Sequence, residues 1–163
     1  MAQKTQRGER VVIVGVGNPL ARDEGLGPAV IARLEAERLP PNVACVDAGT
    51  DFLGAMPEWT DADRLIVIDA MRAGGTPGTI YRMALEEVEA RAKADGLHLS
   101  GHDLGLVGAV RLARVTGQRI PPTVVFGVEP AEIALGEGLS DAVARALDRL
   151  TSAVRKEAAG ADA

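Results

Sequence analysis

The sequence predicts an α/β fold: a three-layer sandwich in which a twisted, mostly parallel five-stranded sheet is flanked by helices on both faces. Three observations carry this expectation. Short apolar runs rich in Val and Ile alternate with stretches of helical period. Those runs are continuous rather than alternating, as strands buried on both faces are. The chain has 163 residues, the length of one domain, and can bury roughly 70% of the surface that its unfolded form exposes.

Val11–Val16 reads as the first strand: β-branched, uninterrupted and stopped by Gly17. Gly27-Pro28 opens a helix with Pro in its first turn, and Val30, Ile31 and Leu34 form the inner face. Pro40-Pro41 ends it. Val43–Asp47 is the second strand, and Asp51–Met56 a short helix or turn that Pro57 closes. Leu65–Asp69 is the third strand. Thr79–Met83, after the turn GGTPG, is the fourth. Its connection is too short for a right-handed crossover, so it is expected to run antiparallel. Leu85–Lys93 is a charged surface helix. From Asp103 onward, Leu104, Val107, Leu112 and Val115 share a helical stripe. Pro122 precedes the strand Thr123–Val128, and Val143, Leu147, Leu150 and Val154 mark a final amphipathic helix. A single domain over 1–163 is expected, with 1–9 and 157–163 frayed. No internal repeat or linker interrupts it.

Composition excludes several functions. Lys and Arg number 18 against 23 Asp and Glu, a formal charge of −5. Nucleic acid and anionic membranes reward basic surfaces, so neither is expected as a partner. Aromatics are restricted to Phe52, Trp59, Tyr81 and Phe126, too few for a base-stacking platform. One cysteine, Cys45, means no internal disulfide and no thiolate metal cluster, which fits a reducing, cytoplasmic setting. The basic N-terminus is followed by no apolar signal core, and no run is long enough to span a bilayer.

In doubly wound folds the functional crevice lies beyond the carboxyl ends of the strands. There the sequence places Asp23-Glu24, Asp47, Asp69 and Glu129. Acids are common in loops, where they complement helix dipoles. Asp69 is less ordinary, because LIVIDA sets a carboxylate directly against a buried strand, where charge requires a cation or several donors. His102 precedes the helix beginning near Asp103. The dipole disfavours its protonated form, and a neutral imidazole is a good ligand for nickel or zinc. His98 is read as a surface histidine in a flexible loop, and Cys45 as a small core residue.

The stretch VVIVGVGNPLARDEGLG raises a choice between an anion and a cation. A dinucleotide fingerprint requires G-x-G-x-x-G, but Leu20 occupies the third glycine position. Asp47 falls roughly where a ribose-binding acid would stand. Asp23 and Glu24, however, lie where a pyrophosphate would sit, and each would cost on the order of several kcal/mol at contact distance. The phosphate-binding lysine of a P-loop is missing. A cation creates no such conflict. Glu24, Asp69 and His102 offer two carboxylates and an imidazole from three loops, a donor set suited to a first-row divalent metal with positions left open. Neither H-E-x-x-H nor G-x-S-x-G is present.

GVGNPLARDEGLG, DAGTDFLG, LIVIDAM, PGTIYRM, SGHDLGL and FGVEP, in this order from Val11 to about Leu150, resemble the nickel–iron hydrogenase maturation endopeptidases. The resemblance implies a twisted sheet between helices. It also implies an endopeptidase that removes the C-terminal extension of the hydrogenase large-subunit precursor once nickel has entered it. The family's metal-contacting positions fall on Glu24, Asp69 and His102, and its Asp-x-Gly-Thr segment on Asp47-Ala48-Gly49-Thr50. Asp47 and Asp69 are the candidate catalytic acids. Nickel is expected in the substrate, with no tightly held cofactor in the protein itself. The precursor is the expected partner and a monomer the expected state. Two other readings remain open: a Rossmann-like nucleotide-dependent enzyme, and a metal-sensing chaperone that docks the precursor without cutting it.

Overall fold

A computed structural model of the chain describes residues 8–94, 97–99 and 105–160. Strand β1 (Val11–Val16) is buried along its whole length. A 3₁₀ turn, Arg22–Gly25, leads into α1 (Leu26–Glu35). Then follow β2 (Val43–Gly49), the short α2 (Met56–Trp59), β3 (Arg64–Arg72), β4 (Ile80–Ala84) and α3 (Leu85–Ala94). The two-residue β5 (His98–Leu99), α4 (Leu106–Val115), β6 (Thr123–Val128) and α5 (Asp141–Ala158) complete the chain.

The sheet has six strands, not five. Five form the path β2-β1-β3-β6-β4, and β5 pairs with β3 off that path. β1, β2, β3 and β6 are mutually parallel, whereas β4 runs antiparallel to β6, as the short connection requires. Alternation along the strands divides the core in two. Val11 and Ile13 face α1 and α5, where Val30, Ile31, Leu34, Leu147, Leu150 and Val154 are buried. Val12 and Val14 face the opposite layer, with Trp59, Leu85, Val88, Leu106 and Val110. On that side the rings of Phe52 and Trp59 stack with centroids 4.9 Å apart.

Several expectations are corrected. β3 does not end at Asp69. Ala70 and Met71 extend its apolar run, and Met71 and Arg72 pair with β5 beyond the last bond to β6. Pro57 opens α2 rather than closing the preceding turn, in keeping with the orphan N–H of a first helical turn. On α4 the buried face is Leu106, Ala109, Val110 and Ala113, while Leu112 and Val115 point to solvent. The small alanines, which weigh little in an apolar count, make up half of the buried face. α3 is anchored by Leu85 and Val88 despite its charge. α5 runs through Ala158, into the stretch expected to fray, and Glu157 holds Arg82 through two bonds of 2.8 and 2.9 Å. Glu9 likewise meets Arg64 at 3.0 Å. No helix among the described residues is long and apolar enough to cross a membrane.

Candidate functional site

The carboxyl ends of β1 and β3 are built to hold the Arg22–Gly25 turn close. At Gly17 (φ 144°) an added Cβ would stand 1.7 Å from the Glu24 carbonyl oxygen, so the turn rests directly on the backbone of Gly17. At Gly27 a Cβ would lie 2.3 Å from the Val16 oxygen and 2.8 Å from that of Ile68. The first turn of α1 is thereby pressed against the ends of β1 and β3. Gly17 and Gly27 thus serve close packing of the turn and of α1 against the strand ends.

The four buried or strand-end acids have separate fates. Asp23, 1% exposed, accepts hydrogen bonds from Ala131 N (2.8 Å), Glu132 N (2.9 Å), Ser140 N (2.7 Å) and Ser140 Oγ (2.9 Å). It fastens the irregular 131–140 segment to the turn. Ser140 in turn caps α5 by accepting from Val143 N. Glu129 accepts from Ala73 N (2.8 Å), Gly75 N (3.3 Å) and the Tyr81 hydroxyl (2.8 Å). Burial, together with the Glu129 carboxylate, pushes the Tyr81 phenol above its ordinary value. These two acids fix loops.

Glu24 and Asp69 are also buried, at 7% and 0% exposure. The turn carrying Glu24 packs against β3, the strand that carries Asp69. Glu24 lines a cleft of about 390 Å³ with Ala70, Arg72, His98, Leu99 and Ile133; Asp69 immediately precedes Ala70. His102, the third expected ligand, lies outside the described residues. Among those described, no three of His, Cys, Asp or Glu gather into a metal site.

Asp47 is placed differently. It is exposed, and its carboxylate accepts from Gly49 N at 2.9 Å in a local turn. It lines a second cleft, on the far side of the Arg22–Gly25 turn, with Pro19, Arg22, Pro28, Gly138 and Leu139. The structure thus does not put Asp47 in the Glu24 cleft.

Two residues of the Glu24 cleft escaped the sequence reading. His98 stands not in a flexible loop but on β5, paired with Arg72 across the β3–β5 ladder. Arg72 was hidden because β3 was taken to stop three residues early. The available signal was the apolar Ala70-Met71 continuing past Asp69.

With this geometry in hand, comparison with known proteins is informative. Residues 28–157 match the family model described as hydrogenase maturation protease. The chain is 36% identical over 151 residues to the hydrogenase expression/formation protein HupD of Rhodobacter capsulatus, covering 91% of this chain and 71% of that protein. It is 31% identical to the hydrogenase 2 maturation protease of Escherichia coli, covering 90% and 92% of the two chains. The solved structure of the hydrogenase maturating endopeptidase HybD from E. coli superposes with a TM-score of 0.74 at 30% identity, over 91% of this chain and 93% of that one. The maturation protease HybD of Thermococcus kodakarensis, at 24% identity and a TM-score of 0.77, shares the fold. Both the sequence matches and the shared architecture run through nearly the whole domain, and the chain therefore belongs to the hydrogenase maturation protease family, as a peptidase.

Proposed function

We propose that this chain is an endopeptidase that removes the C-terminal extension from the large-subunit precursor of a nickel–iron hydrogenase after nickel has been inserted. In this reading Glu24, Asp69 and His102 recognise the nickel already seated in the precursor. The observation that supports the reading is the burial of Glu24 in the wall of a cleft of about 390 Å³, against β3, the strand that carries the buried Asp69. Two carboxylates and a neutral imidazole suit a first-row divalent metal that retains ligands from its own protein. Holding that metal would set the adjoining polypeptide against the cleft, a gain in proximity and orientation. Asp47 or Asp69 would act as general base toward the attacking water. The protein works in the cytoplasm as a monomer that meets its precursor transiently.

The test compares nickel-loaded with nickel-free large-subunit precursor, incubated with the enzyme and weighed by mass spectrometry. Loss of a C-terminal piece in the loaded sample alone is expected. Equal cutting of both samples would remove nickel recognition from the proposal. A precursor that binds but keeps its mass would make the chain a chaperone. Glu24→Ala, Asp69→Asn and His102→Ala are each expected to abolish processing while circular dichroism and melting remain those of a folded protein. Unimpaired processing by His102→Ala would remove that residue from the ligand set.

A further inference from the structure

Two of the large apolar side chains exposed among the described residues stand on the two segments that wall both clefts. Leu20 is 53% exposed and Leu135 94%. They belong to segments that lie parallel through a bridge between Ala21 and Gly136. Gly136 N donates to Leu20 O at 2.9 Å, and Arg22 N to Gly136 O at 3.0 Å. The bridge therefore sets the leucines side by side. A leucine at a loop tip is unremarkable when the loop is loose. Here the loop is held from beneath. Asp23 takes four hydrogen bonds from Ala131, Glu132 and Ser140, and Arg22 Nη1 donates to Glu137 O at 2.9 Å. Arg22 itself has φ 53°, the one positive value outside glycine among the described residues. Backbone held in that region is strained and persists where surrounding contacts enforce it. The fold thus fixes by hydrogen bonds the backbone that presents both leucines to water.

The position of the pair identifies its occupant. Both segments wall both clefts. The first contributes Glu24 to one cleft and Arg22 to the other. The second contributes Ile133 to the first and Leu139 to the second. A polypeptide reaching from the Glu24 cleft into the Asp47 cleft would pass along the two segments that carry Leu20 and Leu135. Because the chain is a peptidase, the occupant available at this place is its substrate. We propose that Leu20 and Leu135 form an apolar saddle on which the substrate polypeptide lies, through an apolar side chain, as it passes from one cleft to the other. The saddle binds and orients and takes no part in bond cleavage. This inference rests on the processing reaction proposed above.

The experiment measures steady-state processing of nickel-loaded large-subunit precursor by Leu135→Asp, Leu135→Met and Leu20→Asp, with Leu112→Asp on the exposed face of α4 as a control. All three positions are solvent-exposed, so melting temperatures of the four variants should match the unaltered enzyme. Leu135→Asp and Leu20→Asp are expected to raise KM roughly tenfold or more, the scale of losing one buried leucine from an interface, with kcat retained. Leu135→Met should behave as the unaltered enzyme, and Leu112→Asp likewise. An unchanged KM for both aspartate variants overturns the saddle while leaving the processing reaction intact. A fall in kcat with KM unchanged also overturns it. Absence of processing by the unaltered enzyme defeats the reading on which the saddle rests.

Discussion

Asp23 offers a direct test of how the site is assembled. Its carboxylate is buried and takes four hydrogen bonds, three of them from backbone N–H groups of a segment 108 to 117 residues away. Asp23→Ala leaves those donors without their acceptor. A bond to a charged acceptor contributes roughly 1.5–3 kcal/mol, and an abandoned donor costs about 1–3 kcal/mol. Shared geometry and water entry make the terms less than additive. A loss of about 3–5 kcal/mol is expected, a large share of a small domain's stability. Asp23→Asn is subtler. With its remaining oxygen at the Oδ2 position, it keeps the bonds from Ala131, Glu132 and Ser140 Oγ but turns an NH₂ toward Ser140 N. Its expected cost is about 1–3 kcal/mol. Urea unfolding at constant m-value measures both variants. Limited proteolysis should find new cleavage within residues 131–140 before global unfolding. A cost below about 1 kcal/mol for Asp23→Ala, with the loop still protected, would refute the argument that this carboxylate holds both cleft walls.

Three further outcomes follow from the same geometry. Gly17→Ala should cost roughly 2–5 kcal/mol, since its Cβ would lie 1.7 Å from Glu24 O at φ 144°; an unshifted urea midpoint would contradict the close approach. Arg82 holds the Glu157 carboxyl below its ordinary value of 4.5. That contribution is therefore present above pH 4.5 and is lost as pH falls through the lowered folded value. Because Arg82 is largely exposed, Glu157→Gln should cost only about 0.5–1 kcal/mol near neutrality and progressively less below, as read by melting from pH 7 to 3; a gap independent of pH would contradict the pairing. Burial, with Glu35 adding, raises the Cys45 thiol to about 11. At pH 8.5 its thiolate fraction is roughly a hundredth of that of a free cysteine, and iodoacetamide should alkylate it correspondingly slowly until the protein unfolds. Equal rates in folded and unfolded protein would contradict that burial.

The architecture was legible because strand and helix periods are local. Val11–Val16 and the Val143–Val154 stripe needed no partner to be recognised, and both are buried as expected. The antiparallel β4 followed from connection length alone. The failures arise where burial is decided at a distance. α4 buries Ala109 and Ala113 beside Leu106 and Val110, a face that its own apolar pattern does not single out. β3 runs past Asp69 because β5, about thirty residues on, pairs with its end. His98 enters the cleft through that pairing and was set aside for the same reason.

The acids show the limit most clearly. Asp23, Glu24, Asp69 and Glu129 all fall at the mouth of the sheet, and only Asp69, set against its buried strand, stands apart in the sequence. The donors that Asp23 and Glu129 meet are not visible there. Asp23 meets the 131–140 segment, and Glu129 meets the turn after β3 together with Tyr81. Those partners lie 48 to 117 residues away in the chain, beyond any local pattern. Neighbouring Asp23 and Glu24 consequently divide the labour: one secures the loop that walls the clefts, and the other lines a cleft. Adjacent carboxylates on so short a turn would repel if both faced the same space. By turning Asp23 into a ring of donors, the fold separates the two neighbours: Asp23 faces the 131–140 segment and Glu24 faces the cleft. Removal of Asp23 would therefore act through the position of the cleft walls, whereas removal of Glu24 would alter the cleft lining itself.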